Sequence, residues 1–223
     1  MKPLLILRPE PGASATAKRA RAMGLNPVSL PLFVTEPLEW TAPEPKSIDA
    51  LLVTSAAAMR HGGAALMTLK ALPLFAVGEA TAAAARAAGF TQIIVGDADG
   101  EASLTAAAQA GYRRILRLVG QDHRPLAHVD VALETRLVYA AKSLQAPHAL
   151  EKHLSKPAIV LVHSPRAAAH FATLCLARQD ITLVAISIAA AERAGSGWAE
   201  CLIAQTPTDN AMLALAAQVC ENG

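Results

Sequence analysis

The stretch from about Ala50 to Gln109 recurs, almost without gaps, between about Ala158 and the end of the chain. Leu52-Val53-Thr54-Ser55 aligns with Leu161-Val162-His163-Ser164, an offset of about 109 residues. At the same offset Leu72-Pro73-Leu74-Phe75-Ala76-Val77-Gly78 meets Ile181-Thr182-Leu183-Val184-Ala185-Ile186-Ser187. One residue is then lost, and Gly89-Phe90…Ile94-Val95 meets Gly197-Trp198…Leu202-Ile203. Two copies of one unit predict two similar domains with a cleft between them, the usual place for a ligand. A chain of 223 residues is long enough for each copy to bury a core of ordinary size.

Within each copy, short apolar runs alternate with Ala-rich amphipathic stretches, the pattern of a parallel α/β fold. Strands are expected at Leu4–Arg8, Pro27–Pro31, Ala50–Thr54, Leu74–Val77, Gln92–Val95, Ile115–Val119, Leu133–Tyr139, Ala158–His163, Leu183–Ile186 and Glu200–Ala204, which makes two five-stranded sheets. Helices are expected at Ser14–Met23 (capped by Ser14, stopped by Gly24), Ala57–Met67, Ala80–Ala88, Ser103–Ala110, Pro165–Arg178, Ala189–Arg193 and Thr208–Glu221. Residues 1–35 and 113–139 supply the remaining strand–helix–strand pieces. Two organisations fit. Either the domains are continuous and break near Tyr112, or the N-terminal unit joins the last three strands. The Pro-rich run from Pro37 to Pro45 reads as a linker and favours the second, with Ala140–Pro147 as the return crossing.

Composition removes several function classes. Apolar residues at 53% and charged residues at 17% exclude disorder, and a net charge of +2 with 4% aromatics argues against a nucleic-acid partner. The longest apolar run, Ile181 to Ala191, is too short to span a bilayer. Arg8 and Glu10 interrupt the N-terminal apolar run, so no signal peptide is expected. Cys175, Cys201 and Cys220 show no metal spacing and suit the reducing cytosol. No phosphate-binding glycine loop and no hydrolase nucleophile elbow occurs.

Four strand ends carry polar groups where a parallel sheet presents its ligand edge: Arg8-Pro9, Thr54-Ser55, Gly78-Glu79-Ala80-Thr81 and His163-Ser164-Pro165-Arg166. Hydroxyls there either cap the following helix or help its free N–H groups to hold an anion. Arg117…Gly120-Gln121-Asp122-His123-Arg124 brings two cations and flexible backbone to the same edge, or forms a solvated turn. Tyr139, one of two tyrosines, ends a strand at the inferred junction. His163 and Ser164 are neighbours on an extended segment and point to opposite faces, so they are not expected to form a catalytic pair.

Taken in order, the opening Leu-Ile-Leu-Arg-Pro, Asp49-Ala50-Leu51-Leu52-Val53-Thr54-Ser55, Ala76-Val77-Gly78-Glu79-Ala80-Thr81, Ile115-Leu116-Arg117…Gly120…Arg124, Val138-Tyr139, Val162-His163-Ser164-Pro165-Arg166 and Thr206-Pro207-Thr208-Asp209 resemble the uroporphyrinogen-III synthase family over nearly the whole chain. The resemblance implies two flavodoxin-like parallel-sheet α/β lobes joined by a two-stranded connector. The first lobe would be discontinuous (1–35 with 144–223) and the second would run over 36–143. It implies a cofactor-free lyase that cyclises hydroxymethylbilane with inversion of ring D and loss of water. Tyr139 would be the catalytic residue. Arg8, Ser55, Gly78, Thr81, Arg117, Gly120, Arg124, Ser164 and Arg166 would contact the substrate carboxylates.

The sequence departs from the family pattern at Ser187 and Ala190, where a Gly and a Thr are frequent, and at Ala56-Ala57-Ala58, where an Asn often follows Ser55. A cytosolic monomer is expected, with no membrane or nucleic-acid partner and a transient handover from hydroxymethylbilane synthase. The rival expectation is a two-lobed cytosolic sensor or carrier of a small anionic ligand, and a flavin carrier is a third, which follows from fold likeness alone.

Overall fold

The computed structural model describes residues 2–96, 99–128, 130–146 and 148–221. The first half of the chain runs β1 (Leu4–Ile6), α1 (Gly12–Ala22), β2 (Pro27–Ser29), β3 (Phe33–Pro37), β4 (Ala50–Val53), α2 (Ala56–His61), α3 (Gly63–Met67), β5 (Leu74–Val77), α4 (Glu79–Ala87) and β6 (Ile93–Gly96). The second half runs α5 (Gly100–Gln109), β7 (Arg114–Gly120), β8 (Ala132–Ser143), α6 (His148–Leu154), β9 (Ala158–Val162), α7 (Pro165–Leu174), β10 (Ile181–Ala185), α8 (Ile188–Ala194), β11 (Glu200–Ile203) and α9 (Asp209–Glu221). The chain divides into two compact units, Met1–Val34 with Ser143–Gly223, and Thr35–Lys142.

Each unit is built on one sheet. The first has five strands in the order β11-β10-β9-β1-β2, all parallel. The second has six, in the order β3-β8-β7-β4-β5-β6, and β8-β7-β4-β5-β6 are parallel throughout. Pairing the repeat copies, β4 with β9, β5 with β10 and β6 with β11, gives the same spatial order in both sheets. The direction of winding reverses between β1 and β9 in one sheet and between β4 and β7 in the other. Ligands of open parallel sheets bind at the carboxyl ends of strands flanking such a reversal.

The central strands are apolar on both faces because helices cover both. In β9 and β10 every residue is buried. Leu5, Leu7, Val160, Val162 and Leu183 pack toward α7 and α8 through Ala168, Phe171, Ala190 and Ala194. Leu4, Ile6, Ile159 and Leu161 pack on the other face toward α1 and α9 through Ala17, Ala20, Met212 and Leu213. The second sheet repeats this, with Leu51, Val53, Leu116 and Leu118 facing α2 and α4. Leu52, Phe75 and Ile115 face Leu104 and Ala107 of α5.

Several expectations need correction. Among the described residues there are five and six strands, not five and five, because Phe33–Pro37 forms an edge strand. The Pro-rich run is no free linker at its start: the Leu38 N–H donates to the Val138 carbonyl at 3.0 Å. Pro is tolerated there because an edge strand has one side without ladder partners. Ser14 does not cap α1. That helix starts at Gly12, and Glu10 instead accepts from the Ser14 N–H at 3.0 Å and its hydroxyl at 2.9 Å. The helix expected over Ala57–Met67 breaks at Gly62 and Gly63, the latter at φ +60°. The helix expected to reach Arg178 ends at Leu174, and α6 was not anticipated. Of the expected return crossing, residues 140–143 continue β8, and Pro147 lies outside the described residues. Among the described residues no helix is long and apolar enough to cross a membrane.

Candidate active site

In the second unit, the reversal between β4 and β7 places the Thr54-Ser55 turn beside the segment that leaves β7 at Gly120. An open pocket of about 470 Å3 sits there, lined among others by Thr54, Ser55, Asp99, Gly100, Glu101, Arg117, Gly120, Asp122, His123, Arg124, Leu126 and Tyr139. Each wall has a local cause. Ser55 is extended and caps α2, its Oγ accepting from the Ala57 N–H at 3.2 Å. Asp99 caps α5 by accepting from the Ala102 N–H at 2.9 Å. Gly100 then lets the start of α5 approach closely: a Cβ there would lie 2.8 Å from Leu126 Cδ1 and 3.2 Å from Thr54 Cγ2.

Tyr139 is brought to this pocket from β8. The ladder between β7 and β8 shifts register at Val119/Gly120, so that Gly120 lies opposite Tyr139. The phenol crosses Gly120 and donates to Ser55 Oγ at 3.2 Å. Ser55 Oγ therefore accepts two hydrogen bonds, and its own hydrogen remains to be donated. The ring also stacks on His61, with centroids 6.0 Å apart and planes inclined by 29°. His61 Nε2 is in turn 2.9 Å from Thr35 Oγ1. Burial lowers the His61 pKa, with the Arg60 charge adding to the effect, so the imidazole is neutral at pH 7. Burial also lowers the pKa of the Arg60 guanidinium, which Tyr139 opposes electrostatically.

Arg117 comes from β7 and is only 4% exposed. Its Nη1 donates to the Arg124 carbonyl at 2.8 Å, while Nε has no partner among the described residues. Burial lowers its pKa. The same loop is held by the Gln121 N–H on the Tyr139 carbonyl (2.9 Å) and by His123 Nδ1–H on the Gly120 carbonyl (3.0 Å).

The matching edge of the first unit is built differently. Arg8 follows β1 and His163 follows β9, and both meet Asp209 at the start of α9. Asp209 accepts from His163 Nε2 at 2.8 Å, Thr16 Oγ1 at 2.9 Å and Arg19 Nε at 3.0 Å, with Arg8 Nη1 at 3.4 Å. Burial raises the carboxyl pKa, but the hydrogen bonds from His163, Arg19 and Thr16 outweigh it and hold the group well below the usual carboxylate range. Burial dominates at His163 and lowers its pKa against the pull of Asp209, so a neutral ring donates through Nε2–H. Ser164 caps α7, accepting from the Ala167 N–H at 3.1 Å, and takes no part in a pair with His163. Arg166 stacks over Phe33 at 5.0 Å.

Of the ten residues singled out from sequence, Ser55, Arg117, Gly120, Arg124 and Tyr139 share the pocket of the second unit. Arg8, Ser164 and Arg166 lie along the first unit's edge. Gly78 and Thr81 join neither group. Gly78 is the N-cap of α4 at φ +77°, after β5, and Thr81 is buried inside that helix at 3% exposure. Thr81 is thus neither a cap nor a strand-end residue. A glycine able to adopt positive φ made the turn, which residue type alone did not reveal. Asp99, Glu101 and Leu126 were missed. The acidic cap before an Ala-rich helix was the available signal for Asp99. Among the described residues no group of three His, Cys, Asp or Glu side chains is placed to hold a metal ion.

Fold and site together define a class: a mixed α/β protein with parallel sheets, whose ligand edge offers a buried cation and paired hydroxyls in place of a nucleotide-binding loop. A family model described as Uroporphyrinogen-III synthase HemD matches residues 14–214, and the chain belongs to that family. Among solved structures, uroporphyrinogen-III synthetase from Helicobacter pylori 26695 is 18% identical with a TM-score of 0.65, covering 98% of this chain and 100% of its own. A mutant uroporphyrinogen III synthase from the extremely thermophilic bacterium Thermus thermophilus is 16% identical with a TM-score of 0.51, covering 100% of both chains. At these identities the likeness is one of fold. Among curated proteins, none matches the chain.

Proposed function

We propose that this family member cyclises hydroxymethylbilane to uroporphyrinogen III, inverting ring D and releasing water, and that the pocket at Tyr139 is where the hydroxyl departs. One observation carries the assignment of the site: Tyr139 and Ser55 share a hydrogen bond at the strand-order reversal, in the same pocket as the buried Arg117.

The substrate's terminal hydroxyl leaves with the pair of electrons from its C–O bond and takes a proton. On binding, the Tyr139 O–H turns from Ser55 to that oxygen and donates to it, while Ser55 steadies the phenol. Neutral His61, stacked on the ring, holds its plane without adding a competing charge. The resulting azafulvenium cation is attacked by the substituted carbon of ring D, giving a spiro intermediate that fragments and recloses at the neighbouring position. Ring closure without inversion proceeds unaided, so the protein's main task is orientation. Arg117 and Arg124 supply positive charge in this pocket for a substrate with eight carboxylates, and Arg8 and Arg166 supply it at the first unit's own edge. Ser164 adds a hydroxyl donor at the first unit's edge, whereas the Gly78 N–H is already bonded to the Gly96 carbonyl at 2.8 Å.

The reading extends to two flavodoxin-like lobes bounded near residues 35 and 143, joined by β3 and β8, and to a cytosolic monomer that receives its substrate from hydroxymethylbilane synthase. The free Cys175, Cys201 and Cys220 support a reducing compartment. The sensor or carrier reading is not favoured, because the family match covers most of the chain and names a synthase.

The test is isomer analysis of the porphyrins formed from enzymatically generated hydroxymethylbilane. A shift from type I to type III on adding the protein supports the reading. Type I alone, from folded protein, sinks it.

A further inference from the structure

Arg117 carries a buried charge whose counter-ion is missing among the described residues. Arg19, Arg86, Arg114 and Arg136, all far more exposed, each pair with a carboxylate. Arg117, at 4% exposure, has only the Arg124 carbonyl, and its Nε is unpartnered. Burying an unpaired ion is expensive, so proteins keep one where a ligand supplies the opposite charge. Asp99, Glu101 and Asp122 line the same pocket, and among the described residues no ion pair joins Arg117 to any of them. The Asp99 carboxylate is engaged in capping α5.

The space around this cation is limited. At about 470 Å3 the pocket is ample for one substituted pyrrole, whereas a four-ring chain with eight carboxylates must extend beyond it. Val119 and Leu126 provide an apolar wall, and Ser55 and Tyr139 line the pocket with their hydroxyls.

We propose that this pocket is a single-ring subsite, in which Arg117 receives a side-chain carboxylate of one pyrrole, and that it binds a monopyrrole bearing one acetate and one propionate on its own. The inference rests on the proposed substrate, whose rings each carry two such carboxylates. It assigns Arg117 to the ring held next to Tyr139, so that the carboxylate fixes the distance between that ring and the phenol.

The experiment is calorimetric titration of the full chain with a monopyrrole carrying an acetate and a propionate. An otherwise identical pyrrole with both carboxylates esterified is the control. The wild type binds the diacid at one saturable site and ignores the ester. R117M weakens binding at least tenfold, and R117K restores part of it. L126W, which fills the pocket from its apolar wall, abolishes binding if R117M does not fold. Absence of binding to the wild type, or binding by R117M or by L126W as tight as that of the wild type, overturns the subsite. The isomer assay separates the two levels. Type III formation without monopyrrole binding overturns the subsite alone, whereas binding without type III formation overturns the synthase reading and keeps the subsite.

Discussion

Gly120 and Tyr139 occupy one space: a Cβ on residue 120 would lie 2.5 Å from Tyr139 Cζ and 2.9 Å from its hydroxyl oxygen. The phenol reaches Ser55 only because β7 has no side chain where the ring crosses it. Gly120→Ala therefore has to push the ring off Ser55. The expected result is loss of most type III formation, with a stability cost of about 1–3 kcal/mol from overpacking. Isomer analysis alongside urea unfolding checks both parts, and wild-type turnover in the variant would refute the link between ring position and rate.

Removing the hydroxyl alone is the cleaner probe of the phenol. Tyr139→Phe keeps the ring, its stack on His61 and its fit over Gly120. The expected fall in kcat is about 10²-fold, the low end for proton donation, because this leaving group also departs unaided. KM stays near the wild-type value. A comparable rise in KM with unchanged kcat would show that Tyr139 binds substrate and does not assist departure.

Arg117→Met exchanges a buried unpaired ion for an apolar side chain of similar length. The expected melting temperature is equal to or above that of the wild type, since such exchanges are neutral or stabilising in many proteins. KM for hydroxymethylbilane rises at the same time. A stabilised but poorly binding variant is the mark of a charge kept for function, and a destabilised one would show that Arg117 serves the fold.

Acid should unfold this chain in two stages. His163 has a pKa held below its usual 6.5 by burial, so the unfolded state takes up its proton first and stability falls as pH drops below about 6.5. Asp209 and Asp49 are lowered, Asp49 to about 2 through its hydrogen bond with Arg114. Their contribution is complete above the unfolded carboxyl value of about 3.9 and is lost as pH falls through about 2 and below. Urea midpoints measured from pH 8 to pH 2 should show both slopes. Asp209→Asn, which costs about 1–3 kcal/mol at pH 7, should flatten the lower one.

How much of this was legible depended on burial. The buried central strands wrote themselves as unbroken apolar runs, so Leu74–Val77 was placed to the residue and Ala158–Val162 within one. The edge strand Phe33–Pro37 was not, because a strand with Thr35, Glu36 and Pro37 carries no such run. Gly62 and Gly63 interrupt an otherwise continuous helical pattern, and isolated glycines are tolerated often enough to be read through. Strand-end logic picked out Ser55, Arg117, Gly120, Arg124 and Tyr139, which do meet in one pocket. It could not bring in Asp99 and Glu101, since only the folded crossover from β6 through α5 carries them there. Asp209 was visible as a residue but not as the hub for Thr16, Arg19 and His163, whose convergence is purely three-dimensional.

The first unit takes strands from both ends of the chain, and this imposes an order on its birth. β1, a central strand, needs β9 beside it, with Leu4 opposite Ile159. A ribosome must therefore make the whole of the second unit before β1 can be flanked on both sides. During that interval the fully buried Leu4, Leu5 and Ile6 have no sheet to enter, while residues 35–142 already hold every strand of their own core. In the nascent chain β1 is thus the buried strand that waits longest for a partner, and the one most exposed to self-association meanwhile.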